Sequence, residues 1–486
     1  MRRQRHLSAA LTDKKSRTGN VLYGIFSYLC IALKQAHRPH NGLQPTKTAY
    51  KNTFMEKLLH YVWKHKMFPA KPLVTTSGES VEVIDTGLPN TNAGPDFFNA
   101  KVRIGGTVWV GNIEIHDKAA DWYAHGHDKD KAYDNVVLHV AAVTGPDIVT
   151  SDGRKVAQIR LGVPPEVSRN YEELITTDHY PPCYAIIPQL SRLTVHSWMS
   201  RLQAERLEQK TEAIRLRADR CGGSWESALF VTMARNYGFG VNGDAFEAWA
   251  MSVPLQSVAH HRDDLFQIEA IFMGQAGLLE YDTIPEHYRD DAMKEGYFDR
   301  LRKEYLYMAH KFGLTPIDAG MWKFLRMRPQ NFPHIRISQL AQLYHSRRSD
   351  LSRLAECTSV EQLKDLLRTR VTPYWETHYT FGSTSVKNRK SISDPSLNLL
   401  IINTAVPMLF AYGRHRHDDT LCSRAFSLLS ELRAENNHIV RLWEQCGLKA
   451  ENAGDSQALI QLKKEYCDKK DCLRCRIGYE YLKTKR

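Results

Sequence analysis

The sequence predicts an α+β protein in which a small α/β core precedes a large all-α region with a C-terminal cysteine cluster. Three observations support this class. Residues 55 to about 165 contain short β-type runs and helical segments in the order αβββαβ. Residues 190–450 show the apolar spacing of amphipathic helices. Three cysteines then fall within nine residues near the C-terminus.

Most of the positive charge lies in an N-terminal extension. The 486-residue chain has a net charge of +12, and ten basic side chains with one acid give residues 1–54 a charge of +9. The remaining 432 residues therefore carry only +3, so the total charge does not by itself indicate nucleic-acid binding. We expect residues 1–54 to be a disordered or over-called extension, because Met55 begins a good helix and would serve as a start.

The predicted α/β core covers residues 55–165. A helix is expected at 55–66, strands at 81–84, 97–104 and 108–116, a second helix at 119–135 and a strand at 136–143. Gly105-Gly106 predicts a tight turn that joins the second and third strands into a hairpin. The alternation of apolar and polar residues along these strands indicates a sheet with one face in the core.

The predicted helical domain covers residues 190–450, and a cysteine-cluster tail follows at 456–486. Helices are expected near 198–220, 224–236, 244–251, 264–280, 298–311, 337–346, 360–369, 396–411, 419–433 and 436–445. We find no apolar run of the length that a membrane-spanning helix needs, so no membrane partner is expected.

The hairpin carries the strongest candidate for chemistry. Glu114 and His116 are two residues apart on a strand and therefore share one face. A three-residue loop would place Asp96 opposite Glu114, about 5 Å away at Cβ. A two-residue Gly105-Gly106 loop would instead place them on opposite faces, unless a bulge restored the pairing. Two opposed carboxylates are suitable ligands for Mg²⁺ or Mn²⁺, and His116 would then assist the attacking water.

Several further polar side chains accompany this hairpin. Glu56 on the first helix is a further possible acidic ligand. Histidines are concentrated after the hairpin, and Gly126 predicts that the helix there bends or ends. The candidates for the same site are His125, His127, Asp134 and His139. For any one histidine, a satisfied core or surface position is the alternative interpretation.

The C-terminal cysteines have the spacing of a metal site. Cys467, Cys472 and Cys475 form a C-x4-C-x2-C pattern that resembles known ligand spacings. A fourth ligand would come from Cys183 or Cys446. Zinc and a [4Fe–4S] cluster are both compatible with this set, and reduced thiols without metal are the alternative. The odd total of nine cysteines does not indicate a disulfide framework.

A basic and aromatic segment near 322–339 is a candidate nucleic-acid contact. Arginine binds phosphate through two hydrogen bonds, and aromatic rings stack on bases. The candidate residues are Arg326, Arg328, Asn331 and Arg336. The alternative is a joint between helices, with prolines as punctuation and the arginines paired to acids.

The order of elements with Asp96 and Glu114-x-His116 resembles the PD-(D/E)xK nuclease superfamily over residues 55–145. The resemblance implies a restriction-endonuclease-like core, metal binding by the two acids, and water activation by the residue at position 116. His116 stands where that superfamily usually has lysine. Some of its members carry an iron–sulfur cluster held by three C-terminal cysteines and one distant cysteine, which implies Cys183 as the fourth ligand.

The chain from Met55 onwards also resembles a bacterial family named domain of unknown function 2851. The similarity is carried by the motifs TTSG at 75–78, NAGPDF at 92–97, GNIEIH at 111–116, GQAG at 274–277, RPQNFP at 328–333 and the cysteines at 467–475. This resemblance implies a bacterial cytoplasmic protein.

Three functions follow as hypotheses. The first is a Mg²⁺- or Mn²⁺-dependent nuclease that acts on DNA or RNA through Asp96, Glu114 and His116. The second is an inactive nuclease-like module that binds nucleic acid or protein. The third is a metal-stabilised scaffold with an unrelated small-molecule site.

Overall fold

The computed structural model describes residues 47–68, 71–348 and 350–484, with side chains from residue 54 onwards. The predicted extension at 1–54 therefore lies largely outside the described residues. The chain divides between Ser168 and Arg169 into two compact units. It is a mixed α+β protein, with a curled sheet in the first unit and mostly helices in the second.

The first unit is built on one eight-stranded sheet. Its strands are β1 (Leu73–Val74), β2 (Ser80–Asp85), β3 (Leu88–Pro89), β4 (Phe97–Ile104), β5 (Thr107–Lys118), β6 (Val136–Val143), β7 (Ile148–Val149) and β8 (Lys155–Arg160). The order is β1-β2-β4-β5-β6-β8-β7, with β3 beside β4. The β5–β6 and β6–β8 pairs are parallel, and the other pairs are antiparallel. A bridge between Thr75 and Ile159 curls the sheet.

Helix α1 (Lys47–Lys64) covers one face of this sheet. Leu59, Val62 and Trp63 pack against the apolar side of β5 and β6, in one cluster with Ile113 and Ile115. The helix begins before the predicted residue 55, because no glycine or proline interrupts residues 47–54. Burial of this apolar stripe is the main source of stability for such a helix.

The segment between β5 and β6 covers the opposite face. A continuous helix over 119–135 was the wrong expectation: α2 (Asp121–Ala124) is followed by two single 3₁₀ turns, His127–Lys129 and Lys131–Tyr133. Gly126 has φ of 76°, a conformation that glycine adopts easily and that ends the helix. Trp122 and Tyr133 anchor this segment in a second small core.

The β4–β5 hairpin combines a two-residue turn with a bulge. Ile104 pairs with Thr107, so the loop is Gly105-Gly106 alone. The register shifts between Phe97 and Ala100, and Asn99 takes φ of 55° there. Phe97 consequently pairs with Ile113, which brings the preceding residue, Asp96, to Glu114. The bulge thus restores the pairing that the short loop alone would remove.

The second unit is helical. Its helices are α3 (Pro165–Thr176, which crosses the unit boundary), α4 (Arg192–Arg220), α5 (Trp225–Tyr237), α6 (Gly243–Ser252), α7 (Leu255–Val258), α8 (Leu265–Gln275), α9 (Arg289–Glu295), α10 (Tyr297–Phe312), α11 (Pro333–His345), α12 (Leu351–Glu356), α13 (Val360–Leu367), α14 (Asp394–Leu400), α15 (Val406–Arg416), α16 (Asp419–Glu431), α17 (His438–Gln445), α18 (Ala453–Gln461) and α19 (Arg476–Leu482). Wider π-helical turns occupy Ile401–Ala405 and Leu462–Cys467.

One stretch of the second unit, Asp394–Arg416, is long and apolar enough to cross a membrane. Of its most apolar window, 72% is buried inside the protein, as is usual for a core helix.

Candidate metal site

Asp96 and Glu114 meet at the bulged end of the β4–β5 hairpin. The backbone N–H of Asp96 donates to Glu114 Oε2 at 3.2 Å, and the N–H of Ile115 donates to Asp96 Oδ2 at 2.9 Å. Glu114 is buried, whereas Asp96 is partly exposed. Each carboxylate therefore accepts a backbone hydrogen bond from the neighbouring strand segment, and this fixes both groups at the bulged end of the hairpin.

His116 lies on the same sheet face as Glu114, as alternation along the strand requires. Its Nε2 is 3.4 Å from Glu114 Oε1. Its Nδ1 is 2.9 Å from Nε2 of His139, which lies on the adjacent parallel strand β6. His139 is fully buried. Because His139 holds Nδ1, the Nε2 atom of His116 is the one that faces the carboxylate.

His125 and His127 approach from the segment that covers this face. The left-handed turn at Gly126 separates them and directs both rings toward His116. His127 Nε2 is also 3.4 Å from Glu114 Oε1, and its ring stacks on Tyr133. One ligand nitrogen from each of His116, His125 and His127 lies within 4.8 Å of the other two.

These distances match the edges of a metal coordination polyhedron. Zinc–nitrogen and zinc–oxygen bonds are about 2.1 Å long, so neighbouring ligand atoms of a tetrahedral site are about 3.4 Å apart. Glu114 Oε1 has this separation from two imidazole nitrogens. His125 is exposed and provides a third imidazole within reach. The donor set is thus suitable for a divalent transition metal.

The electrostatics of the pocket favour a cation. Burial, together with the charge of Asp96, raises the pKa of Glu114 to about 9. Burial and the neighbouring histidines lower the pKa of His116 to about 2, and burial lowers that of His139 to about 4. His116 and His139 are therefore neutral, and neutral imidazole is the form that binds metal. A bound cation would restore the charged carboxylate of Glu114.

Helix α1 adds two groups at the open edge of this site. Nε2 of His60 lies 3.3 Å from Asp96 Oδ2. Burial acts to lower the pKa of His60, but the Asp96 and Glu56 carboxylates outweigh it, so that the pKa is raised. Burial raises the pKa of Glu56, and the neighbouring charge of His60 acts against this shift. The raised pKa favours the protonated form of His60, which contacts one of the two hairpin acids.

Sequence reasoning included Glu56 but missed His60 and Tyr133. His60 is four residues after Glu56, so the helical period that placed one on this face also indicates the other. Tyr133 lies on a 3₁₀ turn, where no regular period applies. Its pKa is raised to about 12 by burial and by the charge of Glu114, so it stays a neutral hydroxyl beside His127.

Two of the sequence candidates do not join a site. Asp134 faces away from the histidines and accepts hydrogen bonds from the backbone and hydroxyl of Ser151. Arg336 is buried in α11, where its guanidinium donates to Asn331 and Gln339. Arg326 and Arg328 are exposed on the preceding loop. Of the nucleic-acid candidates, Arg336 and its partner Asn331 are thus engaged with each other, and contact of nucleic acid with the exposed Arg326 and Arg328 stays a prediction.

The cysteine candidates all lie in the second unit. Cys183, Cys467, Cys472 and Cys475 line one cavity of about 240 Å³. Cys446, the other sequence candidate for a fourth ligand, is not among the lining residues.

One protein family matches this chain. The family model described as Protein of unknown function (DUF2851) matches residues 56–438, which is most of the chain. No curated protein and no solved structure gives a match. The match begins halfway along α1 and extends to the start of α17, so it includes the His and carboxylate site but not the C-terminal cysteines.

Proposed function

The chain belongs to this DUF2851 family of unknown function, and we propose that its α/β unit is a metal-dependent phosphodiesterase that acts on nucleic acid. The observation that carries the proposal is the 3.4 Å approach of Glu114 Oε1 to both His116 Nε2 and His127 Nε2. A carboxylate and three imidazoles that converge on one point, beside a second carboxylate, are typical of metal-assisted hydrolysis.

The donor set indicates which metal the site would take. Imidazole nitrogen is a good ligand for Mn²⁺ and Zn²⁺, whereas Mg²⁺ prefers oxygen ligands and retained waters. Glu114, His116 and His127 would hold the ion, with His125 as a further ligand. The donor set therefore favours Mn²⁺ over Mg²⁺, the two ions that the sequence indicates for this site. Zn²⁺ is a further candidate for the same ligands.

The surrounding residues have distinct tasks in this proposal. A bound divalent ion would polarise a phosphoryl oxygen and lower the pKa of a bound water. His139 orients His116 through the 2.9 Å contact at Nδ1. Asp96 is partly exposed and is positioned to accept a proton from water, while His60 holds its carboxylate in place. Protonation of His60, which its raised pKa favours, would add positive charge that the neutral His116 does not supply.

Nucleic acid is proposed as the substrate because of the resemblance of this hairpin to PD-(D/E)xK nucleases. Asp96 and Glu114 occupy the two acidic positions, and the strand that follows pairs in parallel with β5. The bulge at Asn99 supports the comparison, since it brings the two acids together at one edge.

The test is metal analysis and a cleavage assay on the full chain with labelled DNA and RNA in Mn²⁺ or Zn²⁺. Glu114→Ala is compared with Glu82→Ala, a matched change at an exposed strand position. We expect cleavage by wild type and Glu82→Ala, and at least a hundredfold loss in Glu114→Ala. Equal cleavage by all three proteins would indicate a contaminant and overturn the proposal.

The same assay separates the proposal from its alternative. Metal binding and nucleic-acid binding without cleavage would instead support an inactive module on this core. The replacement of lysine by the neutral His116 is the specific observation that favours this second function. Absence of metal binding would exclude both the metal-dependent phosphodiesterase and the metal-binding inactive module.

A further inference from the structure

The second unit contains a cage of four cysteines that is independent of the site in the first unit. Cys183 follows α3, while Cys467, Cys472 and Cys475 lie between α18 and α19. All four line the same cavity of about 240 Å³. None of the cysteines among the described residues forms a disulfide, so these four sulfurs are available as ligands.

The cage is held by specific backbone features. Cys467 ends the π-helical turn Leu462–Cys467, and such wider turns occur frequently at functional sites. The Cys472 carbonyl lies so close to Gly478 that a Cβ atom at this position would collide with it. The Cys472–Cys475 turn is therefore packed directly against α19, which fixes two of the four sulfurs.

The four cysteines line this cavity together with polar and aromatic side chains, among them Tyr180, Tyr466 and Asp468. Cys183 and Cys475 are both buried. All four thiols therefore border one shared cavity.

The spacing of the sulfurs favours one kind of metal centre over another. Four thiolates on one zinc ion at about 2.3 Å are all about 3.8 Å apart. Among these four cysteines, all within the described residues, no three sulfurs lie within 4.8 Å of one another. In a [4Fe–4S] cluster each cysteine binds a different iron, so the sulfurs are farther apart and surround a larger volume.

We propose that Cys183, Cys467, Cys472 and Cys475 bind a [4Fe–4S] cluster. Each thiol replaces one terminal thiolate on an iron of a preassembled [4Fe–4S] cluster supplied by a thiolate carrier, and its proton passes to the departing thiolate, so insertion is a ligand exchange with no net electron transfer. The cluster fills the cavity and joins the loop before α4 to the C-terminal helices.

The experiment uses the full chain, expressed with added iron and purified without oxygen. We expect about four iron atoms and four sulfides per chain, with a broad absorption band near ~400 nm that decreases on reduction with dithionite. One zinc ion per chain without sulfide would overturn the proposal, and so would the absence of both metals.

A pair of matched variants tests the ligand set. Cys183→Ala removes a cage sulfur, whereas Cys357→Ala removes an equally buried thiol that donates to the Arg353 carbonyl. We expect iron content to fall at least twofold in Cys183→Ala and to remain at the wild-type value in Cys357→Ala. Equal iron contents in the two variants would refute the assignment of Cys183. The wild-type metal and sulfide analysis keeps the proposal testable if Cys183→Ala does not fold.

Discussion

Replacing His139 with phenylalanine is expected to weaken metal binding without direct loss of a ligand. His139 is fully buried on β6, and its only hydrogen-bond partner among the described side chains is Nδ1 of His116 at 2.9 Å. Phenylalanine preserves most of the ring volume but removes this partner. The His116 ring would then be free to rotate away from Glu114 and His127.

The size of this effect follows from the burial of His116. The ring is 2% exposed, so its Nδ1 atom would be left buried without a partner. An unsatisfied buried polar group costs about 1–3 kcal/mol, which corresponds to roughly a 5- to 150-fold change in an equilibrium constant. Loss of an outer partner of a metal-binding histidine typically weakens binding by about 10- to 100-fold. We therefore expect the Kd for Mn²⁺ or Zn²⁺ to rise about 10- to 100-fold.

The assay is competition with a chromophoric chelator, run on wild type, His139→Phe and Val140→Ala. Val140 is the next residue of β6 and is buried on the opposite face of the sheet. Its truncation lowers stability through a cavity but leaves the metal site intact. A Kd for His139→Phe within twofold of wild type, with the fold preserved by circular dichroism, would refute the role assigned to His139.

Further predictions concern one buried lysine of the second unit and two residues of the first unit. Burial lowers the pKa of Lys210 to about 7; the unfolded chain therefore binds more protons between pH 7 and 10, and wild-type stability falls as pH decreases through this range. Lys210→Met should remove up to about 4 kcal/mol of the change in unfolding free energy between pH 7 and pH 10. An equal change in unfolding free energy for wild type and Lys210→Met between these two pH values would contradict this prediction. Asn99→Gly should raise the free energy of unfolding by a few tenths to about 1 kcal/mol in thermal unfolding, because glycine adopts φ of 55° without steric strain. Asn99→Val should instead lower metal affinity, because valine disfavours this backbone conformation and would displace Asp96. Asp134→Ala should leave the Kd for metal unchanged while destabilising the turn at Ser151. A higher Kd for metal in this variant would indicate that Asp134 contributes to the metal site.

The pairing of Asp96 with Glu114 shows how far sequence reasoning reaches. The alternation of β5 places Glu114 and His116 on one face, and Gly105-Gly106 identifies the turn. The bulge could be named only as a condition, because its position depends on Asn99 adopting a left-handed conformation. Asparagine tolerates this conformation better than most residues, but the sequence contains no glycine there to signal it.

Other parts of the site depend on tertiary packing that no local pattern encodes. His125 and His127 were poor candidates for one helix face, and they converge only because the helix ends and Gly126 reverses the chain. Asp134 lies close to them in sequence, yet it caps a turn elsewhere. Arg336 fits the composition of a phosphate-binding segment, but α11 begins at Pro333 and directs it into the interior.

The most direct test of the metal site is anomalous diffraction from crystals of the full chain soaked with Mn²⁺ or Zn²⁺. The account predicts one strong peak in the first unit, about 2.0–2.2 Å from Glu114 Oε1, His116 Nε2 and His127 Nε2. No peak at this position, or a peak bound only by groups outside the histidine cluster, would contradict the account.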